Sequence, residues 1–273
     1  MLDQVFGTEI ITSKTNSTIV KIAKLTNKKY RNEYKMFACD GVKLFQEAVD
    51  FGAKIEYVIL KNEAVFDEKI IQKIKKCSDN GTKILCLNTQ VFEKLTEESA
   101  PQGIITVCSY ITGLHGRLTN VENVQNNEKI LMLESIRDPG NMGTIIRNAV
   151  AFGIDRLVLS SDCVDIYSPK VVRAAMGAIF KVKIDIVDSF TGSIEVIKKT
   201  RAVLGAALGK KSLVLGEKKL DKTDVIVIGN EGHGISEETL NTVTDTIFIP
   251  MAQNTESLNA AMASVIFMWE LYK

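Results

Sequence analysis

Three stretches of this 273-residue chain place polar side chains and glycines at spacings suited to chemistry. In the first, residues 133–155, LESIRDPGNMGTIIRNAVAFGID, a buried-strand segment ends in a turn at Pro139 and Gly140 and a helix follows. Gly143 lets backbone approach a partner closely. Asn141 can cap the helix or face a ligand. Arg147 falls one turn inside it, on the side opposite Ile145, Ile146, Ala149 and Val150. So near a helix N-terminus, an arginine opposes the dipole, a small penalty that an anionic partner such as phosphate would offset.

The second stretch, residues 225–240, is VIVIGNEGHGISEETL. Gly229, Gly232 and Gly234 crowd into six positions beside Asn230 and Glu231, with Ser236 placed as an N-cap. A simple turn does not need three glycines; a ligand gripped by backbone without bulk does. The P-loop Lys-Ser/Thr pair and the dinucleotide spacing G-x-G-x-x-G are both missing, which disfavours triphosphate hydrolysis and a dehydrogenase. In the third, residues 247–273, IFIPMAQNTESLNAAMASVIFMWELYK, a strand closes at Ile249-Pro250. A polar loop follows, and Ser257-Leu258-Asn259 opens a helix with Ser257 an acceptable N-cap. With Ala261, Met262, Val265, Ile266, Met268, Trp269 and Leu271, that helix is too apolar to stand in water. It packs within its domain or on a partner subunit.

The elements that must position these turns are legible. From residue 129, strands are expected at ILMLE, RLVLS, KIDIV, RAVLGAAL, DVIVIG and TIFIP, with helices between them. Ile- and Val-rich strands alternating with helices argue for a parallel sheet covered on both faces, with ligands at the carboxyl ends of its strands. Residues 16–109 alternate shorter helices and strands as a small α/β unit, and residues 110–128 are polar and Asn-rich. The division is therefore a 1–109 domain, a 110–128 linker and a 129–273 domain.

Hydrophobic residues make up 45% and charged residues 25%, ordinary for a soluble globular protein. No apolar run nears the ~18 residues of a membrane span, and the segment MLDQVFGTEIITSK lacks a secretory pattern. Cys39, Cys77, Cys86, Cys108 and Cys163 are odd in number and unpaired in spacing. They read as reduced thiols of a cytoplasmic protein. His115 and His233 sit in no metal-ligand spacing, so no metal is expected. The net charge of +1 hides a basic strip of Lys21, Lys24, Lys28, Lys29, Arg31 and Lys35, opposed by Glu33 and interleaved with Tyr30 and Tyr34. It is either a solvated amphipathic helix or a surface facing RNA phosphates; composition leaves both open.

Together the three stretches resemble the SpoU–TrmH branch of the SPOUT superfamily, RNA ribose 2′-O-methyltransferases. The family's N-x-G-x-x-x-R stands here as Asn141 to Arg147, its glycine-rich G-(S/N)-E-G-x-G as Gly229 to Gly234, and its I-P-M and S-L-N as Ile249 to Met251 and Ser257 to Asn259. Order and spacing all match across residues 129–273. More loosely, ITSKTNSTIVKIAKLTNKKYR and FACDGVKLFQEA resemble the family's substrate-binding domain, an α/β unit like ribosomal protein L30.

The resemblance implies a deep trefoil knot, an exception to unknotted chains. It implies S-adenosylmethionine bound in a bent pose by Ala206, Gly229, Ile249 and Leu258. It also implies a homodimer that buries the apolar C-terminal helix. Gln253 departs from the family pattern, where many relatives have glycine. By the same resemblance Arg147 meets the RNA phosphate and the 2′-oxygen, and Asn141 orients Arg147 or the ribose. Glu231 holds Arg147, and Ser257 and Asn259 complete the site. The L30-like unit points to ribosomal RNA as substrate. A transfer RNA 2′-O-methyltransferase is the alternative, as is a non-catalytic RNA-binding protein that keeps the fold, against which the intact Asn141, Arg147, Glu231 and Asn259 count.

Overall fold

Two sheets form from the β-branched runs. The computed structural model describes residues 1–209, 212–252 and 257–273; Gln253 lies outside them. The chain divides into two compact units, residues 1–111 with 167–180, and residues 112–166 with 181–273.

The first unit contains α1 (Leu2–Phe6), β1 (Ile10–Ile11), α2 (Ser17–Ala23), α3 (Lys28–Tyr34), β2 (Met36–Asp40), α4 (Val42–Asp50), β3 (Ile55–Lys61), α5 (Glu68–Asp79), β4 (Lys83–Leu87), α6 (Thr89–Phe92) and β5 (Ile104–Ser109). Its sheet runs β1-β4-β3-β5-β2, with β5 antiparallel to both neighbours and the other pairs parallel. One face packs Phe45, Val58, Leu60, Ile70 and Ile74; the other packs Ile19, Ile22, Ile59, Phe92 and Val107. Helices therefore cover both sides. Their starts are capped as the sequence dictates: Asn16 and Asn27 open α2 and α3, and the Asp67 carboxylate accepts from Ile70 N at 2.8 Å.

The second unit contains β6 (His115–Leu118), β7 (Ile130–Leu133), α7 (Pro139–Ala151) and β8 (Arg156–Ser160). After α8 (Pro169–Ala174), which belongs to the first unit, it continues with β9 (Lys183–Val187), α9 (Phe190–Lys198), β10 (Val203–Ala206), β11 (Leu213–Val214), β12 (Val225–Ile228), α10 (Glu237–Thr242), β13 (Asp245–Phe248) and α11 (Ala260–Tyr272). Among the described residues, eight parallel strands run in the order β11-β13-β10-β12-β7-β8-β9-β6. One face buries Met132, Val158, Val203 and Val227 against Phe190, Ile194 and Ile197 of α9; α11 packs against α7.

Residues 110–128 differ from the linker reading. Their HGRL segment is the edge strand β6, paired in parallel with β9, and residues 122–128 are bound to the buried Arg156. That guanidinium, 2% exposed, reaches Glu128 at 2.7 Å, Asp185 at 2.7 Å and the carbonyls of Glu122 and Asn123. Residues 167–180 also leave the expected boundary and join the first unit, where Phe37 meets Tyr167 and Phe180 at centroid distances of 4.6 and 6.2 Å.

Candidate active site

The three motif turns follow the carboxyl ends of β7, β12 and β13, and β12 pairs directly with β7. The first is not the turn-then-helix expected. Asp138 is the N-cap of α7, its carboxylate accepting from Asn141 N at 2.7 Å, and Pro139 occupies the first helical position. Pro139 to Gly143 are thus already helix, and Asn141 is not the cap. Arg147 becomes the ninth residue of α7, roughly two turns in, where the dipole is faint. The expected electrostatic penalty falls away. Arg147 is exposed, and among the described residues it makes no hydrogen bond or ion pair. Asn148 instead turns back, donating to Thr144 O at 2.8 Å.

Asn141, Glu231 and Asn259 come together as one polar chain. The Asn141 amide donates to Glu231 Oε1 at 3.0 Å and accepts from Asn259 Nδ2 at 2.9 Å. Asn259 in turn caps α11, accepting from Ala261 N and Met262 N; this is the role expected of Ser257. Glu231, expected to hold Arg147, spends its carboxylate elsewhere. It accepts from Arg137 N at 3.3 Å, Asp138 N at 3.2 Å and Asn141 Nδ2, so it supports the start of α7 from outside. Partial burial pushes its carboxyl up, but the bond from Asn141 and those from the backbone outweigh burial and hold it below the ordinary value. Bonded in this way, Glu231 ties the glycine loop to the start of α7.

Beside this chain lies a cavity of about 360 Å³. All four expected cofactor residues line it: Ala206 at the end of β10, Gly229 after β12, Ile249 after β13 and Leu258 before α11. Ser257 and Glu231 also line it. The volume falls in the range of small-molecule sites, and the lining is mostly apolar. The glycine loop folds back on itself through Asn230 N to Gly234 O and Gly234 N to Asn230 O, both 2.9 Å. A Cβ on Gly229 would stand 2.3 Å from Gly234 carbon, so the sharp return requires glycine there.

Sequence reading passed over two carboxylates that build the site. Asp138 caps α7. Glu134, 9% exposed, accepts from Ser236 N, Ser236 Oγ and Thr239 Oγ1 and so ties the end of β7 to the start of α10. The available signal was a carboxylate closing the apolar run ILML. In the first unit, Lys21, Lys24, Lys28, Lys29 and Lys35 are exposed, and Lys21 and Lys24 each rest 4.9 Å from a ring centroid, of Tyr34 and Tyr30 respectively. Arg31 does not belong with them. It is 3% exposed, and its NH1 donates to Leu25 O at 2.7 Å and Thr26 O at 2.8 Å, pinning the α2–α3 junction.

The family model described as the SpoU rRNA Methylase family matches residues 128–269, and the MRM3-like substrate binding domain matches residues 16–106. The chain belongs to the SpoU rRNA methylase family. Its relatives include the 23S rRNA (guanosine(2553)-2′-O)-methyltransferase RlmP of Bacillus subtilis (strain 168), 27% identical over 262 residues that cover 96% of this chain and 98% of RlmP. Among solved structures, an rRNA methyltransferase from Sinorhizobium meliloti is 28% identical with a TM-score of 0.83, covering 96% of each chain. An AdoMet-bound rRNA methyltransferase structure from the same organism gives 27% identity and 0.80, covering 96% of this chain and 97% of that one.

Proposed function

We propose that this chain transfers the methyl group of S-adenosylmethionine to a ribose 2′-hydroxyl of ribosomal RNA. The observation that carries the reading is the cavity joining Ala206, Gly229, Ile249 and Leu258, flanked by the Asn141–Glu231–Asn259 chain. Family membership and full-length similarity to enzymes named for ribosomal RNA methylation support it.

When bound, S-adenosylmethionine supplies an electrophilic methyl on a sulfonium. Ala206, Gly229, Ile249 and Leu258 would hold it, the glycine allowing close backbone approach. A ribose 2′-hydroxyl is barely acidic, so the chain contributes mainly position and electrostatics. Arg147, exposed and without a partner among the described residues, is free to meet the RNA phosphate and the 2′-oxygen. A guanidinium stays protonated, so it orients and offsets developing negative charge rather than taking the proton. Glu231 and Asn259 fix the Asn141 amide between them, and Ser257 completes the wall.

The exposed lysines of the first unit, without Arg31, form the proposed RNA-binding surface, and that unit is read as L30-like. A homodimer through α11 is supported by Met262 and Trp269, 52% and 49% exposed, beside Tyr272 and Phe152. A deep trefoil knot in the C-terminal domain belongs to the same reading, and the cytoplasm is the proposed location. Among the described residues no helix is long and apolar enough to cross a membrane.

The test is methyl transfer from labelled S-adenosylmethionine to 23S ribosomal RNA transcribed in vitro, followed by mapping of the modified ribose. A single 2′-O-methyl position is expected. Tight binding of the cofactor with no transfer to ribosomal RNA, but transfer to transfer RNA, would redirect the substrate assignment.

A further inference from the structure

A second hollow of about 600 Å³ is walled in part by the glycine loop. It shares Asn230, Glu231 and Gly234 with the cofactor cavity and is otherwise lined by Glu134, Ser135, Arg137, His233 and Ser236. Its walls are rigidly held. Asn230 Oδ1 accepts from Gly232 N and His233 N at 2.9 and 3.1 Å, and its Nδ2 donates to Ser135 O at 2.7 Å. Ser135 adopts φ 55°, a left-handed conformation that a serine keeps only where its surroundings enforce it. Arg137 NH2 donates to Asp162 at 2.6 Å, and the same carboxylate accepts from Ser135 Oγ and Ser160 Oγ, both at 2.6 Å.

Two exposed side chains in this hollow can turn to a ligand. The exposed His233 ring makes no hydrogen bond or ion pair among the described residues, though its backbone is fixed. Arg137, also exposed, has only a surface pair with Asp162, worth little in water and open to exchange for a phosphate. Glu134 and Glu231 are engaged with backbone and hydroxyl donors.

We infer that this hollow receives the target nucleotide, unpaired and turned out of its helix, with His233 against the base and Arg137 at a phosphate. The inference rests on the methyltransferase reading and extends it to how the substrate is chosen. A ribose at the shared wall of Asn230, Glu231 and Gly234 lies next to the cofactor cavity, and its base points away from it. A flat imidazole is the surface on which an unstacked base settles.

The test uses the full chain and a 23S ribosomal RNA transcript, measuring kcat, KM for RNA and, by calorimetry, the Kd of S-adenosylmethionine. His233→Ala removes no fold contact. It is expected to raise KM about tenfold with kcat within about twofold and cofactor Kd unchanged, and His233→Phe is expected to restore KM. Arg137→Ala should raise KM likewise. Unchanged KM in both variants overturns the inference, as does a weakened cofactor Kd, which would assign the hollow to the cofactor. If wild type methylates no RNA, the functional reading fails separately. RNA affinity of the same variants by filter binding then decides the hollow, a tenfold loss supporting it and no loss overturning it.

Discussion

Arg31 of the first unit and Arg147 of the second both sit on helices within motifs that suggest RNA, and both were candidates for phosphate contact. Their surroundings separate them. Arg31 is buried and donates to two carbonyls, so its charge closes a helix junction. Arg147 is exposed, with its guanidinium free of partners among the described residues. A third arginine, Arg156, is buried between two carboxylates and holds residues 122–128 against the sheet. Charge on a sequence is one quantity; charge available to a ligand is what remains after the fold has used its share.

The largest expected effect comes from the arginine with most partners. Arg156→Leu takes the guanidinium from the buried Asp185 and the part-buried Glu128 and leaves Asp185 with Lys183 at 4.0 Å, so urea unfolding should show a loss of about 3–5 kcal/mol. A loss below ~1 kcal/mol would mean that the carboxylates find other donors. Arg147→Ala should behave inversely: an unchanged unfolding midpoint and cofactor affinity, but single-turnover methylation slower by about 10²- to 10³-fold, roughly 3–4 kcal/mol. Slowing under about threefold would remove it from the catalytic machinery.

Next come the paired tests within the strip. Arg31→Met should cost about 1–3 kcal/mol of stability by leaving carbonyls unsatisfied, while keeping the salt dependence of RNA binding. Lys28 and Lys29 changed to Ala should do the reverse, lowering the slope of log K against log salt by about 1.4–1.8 for two lost phosphate contacts. Equal slopes in wild type and the double variant would return these lysines to a solvated surface.

The smallest effect is on pH dependence. Glu231 is held below its ordinary value of 4.5, so its contribution is present above that value and lost as pH falls through the lower folded value. Thermal unfolding between pH 6 and pH 3 should therefore lose stability more steeply in wild type than in Glu231→Gln.

Much of this was legible beforehand. RLVLS and KIDIV became strands with those very bounds, because continuous Ile, Val and Leu runs suit a sheet buried on both faces. Asn141, Glu231 and Asn259 could be gathered from their motifs. Their partners could not, since Glu231 meets backbone N–H groups that every residue carries and no pattern marks. The edge strand HGRL was hidden because an edge strand with polar residues lacks the apolar signal. Arg31 was misassigned because helical spacing gives a face but not which neighbour covers it. The start of α7 was missed where Pro-Gly read as a turn; proline at the first helical position, after an aspartate cap, reads equally well as a beginning.

The return of residues 167–180 to the first unit has a consequence in time. On the ribosome that unit lacks the Tyr167 and Phe180 rings that meet Phe37 until residue 180 has been made, roughly 70 residues after residue 111. At ~5–20 residues per second that is a wait of about 4–14 s. During it Phe37 faces a partner not yet synthesised, while β7, α7 and β8 of the other unit have already been produced. The two units therefore mature as interleaved clients of one chain, and a ribosome stalled before residue 167 would present both unfinished.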